Sequence, residues 1–313
     1  LKIQIDLVSD TFLLDHVVAG APLLPTVMQL DLAARAWPTR GVGEGPPAGM
    51  TLRDVVVGPP VRFDRSGPRE LHLVSHRADP GRAGPDALTC ELRSTDEPAA
   101  HLTAIAERTT EAVPPARHPD GRADAWAARL PCGPDLVYPP FFHGAAFAVV
   151  GRFGRPAAGF AACLASGLPP LRWAAADTVL RPRLLELLLQ CCGLWELAES
   201  SRMMVPAAIE RVQWHPGSFA ADPAVPAAAR VVPRPGRHDG DRVFDGQVLG
   251  PGGSVLVTVA GYRAIDLDLG LVPDLAHAAR LRRCLDAPYP DATPPAELAA
   301  TLTADAAAGK GAP

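Results

Sequence analysis

The chain has 313 residues, 48% of them hydrophobic and 20% charged, which is enough for one large domain or two of ordinary size around a substantial core. Its formal net charge of -4, with the Arg residues scattered, offers no basic field for a phosphate backbone and excludes nucleic acid as an expected partner. No apolar run approaches the roughly 20 residues of a membrane span, and the start from Leu1 to Asp6 has no basic segment followed by an apolar one, so neither export nor membrane insertion is expected.

In chain order, Pro25 opens an apolar segment from Thr26 to Trp37 that reads as a helix stopped by Pro38. Short runs at Met50 to Val57, Val61 to Asp64, Glu70 to His76, Ala87 to Ser94 and Ala100 to Arg108 read as strands, bounded by Gly, Pro or Asp. The Pro-rich stretch from Val113 to Gly121 suits neither helix nor central strand and marks a boundary near residues 112 to 130. The pattern then repeats. Strands are expected at Phe147 to Phe153 and Gly159 to Ala165, a helix from about Arg183 to Glu199, and strands near Ala207 to Trp214, Ala228 to Val232, Arg242 to Leu249 and Ser254 to Ile265. Gly250-Pro251-Gly252-Gly253 makes the last two a hairpin.

One helix among several strands, twice over, predicts an α+β fold in which two antiparallel sheets each wrap a central helix. The divisions read as residues 1–112, a linker at 113–132, a second unit at 133–270, and a surface helix (Leu271 to Leu285) with a linker tail at 271–313. The absent initiator Met and the Ala, Gly and Pro-rich end from Ala306 to Pro313 read as a piece of something longer, or as a processed end. Six Cys at 90, 132, 163, 191, 192 and 284 contain no CxxC pair, and adjacent Cys191 and Cys192 would strain a mutual disulfide. Reduced thiols in a cytoplasmic protein are expected.

Two stretches carry chemistry. The segment from Leu184 to Trp195 is apolar almost all round, yet Glu186 and Gln190 fall four apart on one helical face. Burial of that carboxyl is expected to raise its pKa and keep it protonated, as a general acid for a hydroxide leaving group requires. A salt bridge from Glu186 to Arg181 or Arg183 is the structural alternative. Ahead of the first helix, His16, Gly20 and Pro25 form the spacing HxxxGxxxxP. Glycine permits close backbone approach, and an N–H near the helix start could hold a thioester carbonyl with the helix dipole favouring developing negative charge. An imidazole of reference pKa about 6.5 needs that stabilisation to remove a thioester α-proton.

On these residues the chain resembles the dehydratase domains of polyketide synthases and polyunsaturated fatty acid synthases, which adopt a double hotdog fold. HxxxGxxxxP is complete. The Tyr-Gly-Pro-x-Phe motif is recognisable in Tyr138 to Phe147, and the Asp-x-x-x-Gln motif takes the form Glu186-x-x-x-Gln190, one methylene longer at the acid. The resemblance spans roughly residues 5 to 268, and the texture of Phe12 to Pro25, Phe142-His143-Gly144 and Gln190 to Trp195 is closest to iterative members of the polyunsaturated fatty acid and enediyne type.

It implies dehydration of a 3-hydroxyacyl thioester held on the phosphopantetheine of an acyl carrier protein, with no cofactor bound by the domain itself. His16 would act as base and Glu186 as acid, Gln190 would orient Glu186, Gly20 would donate its N–H to the thioester carbonyl, and Tyr138 would contact the β-hydroxyl. Pro25, Phe142, His143 and Gly144 support the motifs. Neighbouring synthase domains and a second copy of the chain are the implied partners. Thioester hydrolysis or ring closure on the same fold, and a catalytically degenerate non-enzymatic module, are the competing readings. The other His residues lack metal spacing, so no metal is expected, and no Gly-x-Ser-x-Gly elbow or phosphate loop is present.

Overall fold

The computed structural model describes residues 1–36, 49–64, 67–109, 129–156, 159–171, 173, 180–220, 227–235, 242–266 and 275–286. The first part runs β1 (Lys2–Ile5), a 3-10 turn at Thr11–Asp15, β2 (Val17–Val18), β3 (Ala21–Pro22), helix α1 (Thr26–Ala34), then β4 (Gly49–Val57), β5 (Arg69–Arg77), β6 (Leu88–Ser94) and β7 (Glu97–Thr109). The second part runs β8 (Val150–Gly154), β9 (Phe160–Leu164), helix α2 (Pro182–Ser200), β10 (Met204–Trp214), the short helix α3 (Pro216–Ala220), β11 (Ala228–Pro233), β12 (Arg242–Leu249), β13 (Val255–Asp266) and helix α4 (Leu275–Leu285).

Among the described residues, eleven strands form one antiparallel sheet in the order β1-β5-β6-β7-β4-β10-β13-β12-β11-β9-β8. It curls round α1 at one end, where β4, β6 and β7 pack on the helix, and round α2 at the other, where β9, β10, β11 and β12 do so. This is the double hotdog arrangement, with its two sheets joined edge to edge where β4 pairs β10, Leu52 opposite Val212 and Met50 opposite Trp214. That envelope explains why α2 is apolar on almost every side: Leu185, Leu187, Leu188, Cys191 and Leu194 are fully buried. A surface helix would keep one polar face. Pro182 starts α2, and Ser201, in the left-handed conformation with its N–H on Leu197 O, ends it.

The two helices pack against each other, and a buried carboxylate fixes how α1 meets the entry to α2. Asp31 Oδ1 accepts the Leu180 N–H at 2.7 Å while its Oδ2 pairs with Arg35 at 3.1 Å. A charge so placed is tolerable because it is both paired and hydrogen-bonded.

Most expected strands are present within a few residues. Val61 to Asp64 is not a strand, and only an isolated bridge from Leu23 to Arg62 forms there. β1, which the sequence reading did not single out, pairs with β5 and buries Ile3 and Ile5. The Pro-rich stretch from Val113 to Gly121 and residues 37 and 38 lie outside the described residues.

The helix read as a surface element is α4, which keeps Arg280, Arg282 and Arg283 exposed while Ala278, Leu281 and Leu285 are buried and His277 donates from Nε2 to Leu136 O at 2.8 Å. Its apolar stripe meets α2. One expectation is corrected: not all six thiols are free, because Cys132 and Cys284 form a disulfide with Cα atoms 5.9 Å apart. Their 152-residue separation leaves no local signal of the pairing. Among the described residues no helix is long and apolar enough to cross a membrane, which does not bear on β-barrels.

Candidate active site

His16 follows the 3-10 turn Thr11–Asp15, where the chain leaves the first sheet and turns toward α1. Its carbonyl accepts the Leu23 N–H at 2.9 Å and its Nδ1 lies 3.1 Å from Leu23 O, so the two residues bracket the β2–β3 hairpin. A carbonyl oxygen only accepts, so Nδ1 carries the proton and Nε2 presents a lone pair. Burial, then the neighbouring His143, lower the His16 pKa from 6.5 to about 4, against the opposing pull of Glu186, and the ring is neutral at neutral pH.

Glu186 and Gln190 lie one turn apart on α2, and Gln190 Nε2 donates to Glu186 Oε1 at 2.8 Å. The same amide nitrogen donates to Phe147 O at 2.8 Å, and Gln190 Oε1 accepts from the Tyr138 hydroxyl at 3.1 Å. A second nitrogen lies against the acid: His143 Nε2 is 3.1 Å from Glu186 Oε1, an ion-pair contact when the ring is protonated, with both side chains buried. Burial pushes the Glu186 carboxyl up, as expected from the sequence. The close His143 contact, the charge that His143 and His16 carry when protonated, and the Gln190 bond together outweigh it, so the net direction is downward. That corrects the expectation of a carboxyl kept protonated by burial alone. Arg183, offered as a salt-bridge partner, instead donates to the carbonyls of Ala146 and Pro169.

The two catalytic candidates meet in one place. His16, Glu186, Gln190, Phe142 and His143 all line a single cavity whose remaining wall is largely apolar, with Leu23, Val57, Leu189, Met203 and Met204 among its residues. The His16 loop and the His143 loop are zipped by backbone pairing, Gly144 N–H to Asp15 O at 2.8 Å, and by Asp15, whose carboxylate accepts the N–H groups of Ala145 and Ala146 at 3.1 Å each. A Cβ on Gly144 would fall 2.2 Å from Asp15 Oδ1, which explains glycine there. Asp15 was not singled out from the sequence; its place directly before the motif His is the signal that could have found it.

Two predicted contacts fail. Gly20 sits in the exposed turn of the β2–β3 hairpin, where Ala19 (φ 49°) and Gly20 (φ 79°) are both left-handed, and it does not line the cavity. Its glycine serves the turn. Tyr138 also lies off the cavity wall, behind Gln190, because its hydroxyl donates to Gln190 and accepts the Val150 N–H at 2.6 Å. Pro25 caps the start of α1, and Thr26 at the first helical position does line the cavity. Among the described residues no group of three or more His, Cys, Asp or Glu gathers as a metal would need.

The arrangement offers a neutral imidazole, a carboxyl braced on one oxygen and a helix N-terminus around one apolar cavity. Residues 1–92 match a family model described as polyketide synthase dehydratase domain, and residues 136–268 match one described as polyketide synthase dehydratase N-terminal domain. No curated protein matches the chain. Among solved structures, a trans-AT polyketide synthase dehydratase domain from Brevibacillus brevis is 18% identical with a TM-score of 0.68, over 85% of this chain and 93% of that one. The dehydratase domain from the CurJ module of the curacin polyketide synthase is 14% identical with a TM-score of 0.69, over 86% and 92%. The dehydratase domain of a mycocerosic acid synthase-like polyketide synthase is 20% identical with a TM-score of 0.63, over 84% and 89%. With matches to the family along most of its length and its fold, the chain belongs to the polyketide synthase dehydratase domains, hydro-lyases that remove water in polyketide biosynthesis.

Proposed function

We propose that this chain converts a 3-hydroxyacyl thioester, carried on the phosphopantetheine of an acyl carrier protein, to the α,β-enoyl thioester. The observation that carries the reading is that His16 and Glu186, from opposite parts of the chain, line the same cavity. His16 Nε2 takes the α-proton, its lone pair presented by the Leu23 carbonyl on Nδ1. The thioester carbonyl goes to the start of α1 at Thr26, where first-turn amides precede the first helical bonds to Pro25 O. This replaces Gly20 in that role.

Glu186 protonates the departing β-hydroxyl, oriented by Gln190, which is itself fixed by Phe147 O and Tyr138. An acyl chain filling the apolar cavity makes the surroundings of the carboxyl still less polar and pushes its pKa back up, so the acid form gains population when substrate is bound. The same reading treats residues 1–112 and 133–270 as the two hotdog units, working as a cytoplasmic homodimer beside other synthase domains and needing no cofactor of its own.

The test offers a 3-hydroxyacyl thioester on carrier protein or on pantetheine and follows the product by mass. Loss of one water with the thioester intact supports dehydration. Release of a free acid would favour hydrolysis, and unchanged substrate would favour a non-enzymatic module.

A further inference from the structure

We propose that His143 is the positioning residue that makes Glu186 an effective acid: its Nε2–H, together with Gln190, occupies Glu186 Oε1 and leaves Oε2 as the oxygen that carries and delivers the proton. The inference rests on the acid–base reading given above.

Both nitrogens meet the same atom: Gln190 Nε2 donates to Oε1 at 2.8 Å, and His143 Nε2 lies 3.1 Å from it as an ion-pair contact. A carboxyl oxygen that accepts one N–H and has a ring nitrogen against it as well is the occupied one, which favours a proton on the other oxygen. The His143 side chain is 6% exposed and that of Glu186 7%, so water does not compete for the contact. The ring's tautomer is equally constrained. His143 Nδ1 is buried without a hydrogen-bond partner, and the rings of Phe141 and Phe142 lie beside it with centroids 5.7 and 4.4 Å away. An N–H on Nδ1 would be stranded there, which places the ring proton on Nε2, facing the carboxyl.

The brace also answers the extra methylene of Glu. Gln190 comes from the same helix and holds the carboxyl along the helix axis only. His143 comes from another segment, one whose backbone bridges His16 and whose following amides are held by Asp15. A carboxyl tied to His143 is thereby registered against the base itself. The ionisable groups around this pair are His16, Asp15 on the loop beneath, Tyr138 behind Gln190, and Tyr262 on β13.

The test measures kcat and KM against pH for wild type, His143→Phe, His143→Gln and His143→Asn on a 3-hydroxyacyl pantetheine substrate. At each variant's optimum, His143→Phe is expected to lose about 10- to 100-fold in kcat with KM changed by less than about threefold. Removing an N–H that favours the carboxylate is expected to move the basic limb of kcat to higher pH, which a purely structural role would not do. His143→Gln, with an amide N–H in reach of Oε1, is expected to recover most of the rate. His143→Asn, polar but too short, is expected to stay slow and serves if the Phe variant does not fold. An unshifted limb with wild-type kcat in His143→Phe or His143→Asn, or a Gln variant as slow as they are, overturns the proposal. If His16→Phe and Glu186→Gln still release water, the acid–base reading falls and this inference with it. If those two are dead while the His143 variants match wild type, this inference alone falls.

Discussion

Which nitrogen of His16 is free to take a proton follows from one backbone carbonyl. With Nδ1–H committed to Leu23 O, the ring's lone pair is on Nε2, where the proposed reaction would place the α-proton. Because burial and His143 hold this ring at about 4, it is already neutral at pH 5 and remains so above it. Glu186, whose carboxyl is held below its ordinary value, loses its proton as pH rises. The expected kcat/KM profile therefore has no rising limb between pH 5 and 7 and falls with increasing pH, a sign opposite to that of a base titrating at the ordinary imidazole value. A tenfold rise in kcat/KM from pH 5 to 7, measured with a pantetheine substrate, would contradict this assignment.

At the scale of elements, the site depends on two loops held together by Asp15 and Gly144. Gly144→Ala would drive a Cβ into the Asp15 carboxylate and open the seam between the His16 and His143 loops. The expected result is a loss of about 1–3 kcal/mol in stability and a drop in kcat larger than any change in KM, read by thermal melting and steady-state kinetics. Wild-type kcat in a folded Gly144→Ala protein would show that the seam is not what aligns base and acid.

Much of this level was legible beforehand. The apolar run of α2 with Glu186 and Gln190 four apart, and the spacing of His16 to Pro25, led directly to residues that share the cavity. What escaped was non-local. Tyr138 is close in sequence to the motif Phe residues, yet its hydroxyl turns away to Val150 and Gln190, a choice made by tertiary partners. Gly20 looked like a site of backbone approach, but the same permissiveness for positive φ equally suits a hairpin turn, and the spacing cannot separate the two uses. The lowered carboxyl at Glu186 depends on a His 43 positions away in the chain, which no helical pattern can reveal.

At the scale of the molecule, the β4–β10 pairing, the Asp31 contacts and the Asp15–Gly144 seam link the two helix-wrapping ends. The disulfide is a long-range tie within the second end, from Cys132, which bridges Phe153 on β8, to α4. Cys284→Ser is expected to lower stability by about 2–5 kcal/mol, and wild type treated with reductant should melt at the same temperature as the variant. Equal melting of oxidised wild type and Cys284→Ser would remove the disulfide from the account of stability.

The central claim is that one cavity, walled from both ends of the chain, brings together a base and an acid that divide the removal of water between them. Single-turnover mass spectrometry of wild type, His16→Phe and Glu186→Gln, each loaded with the same 3-hydroxyacyl carrier protein, measures this most directly. Conversion to the enoyl thioester by wild type, with a loss of at least about 100-fold in rate in each folded variant, is the expected result. Dehydration at an undiminished rate by either variant would contradict the claim.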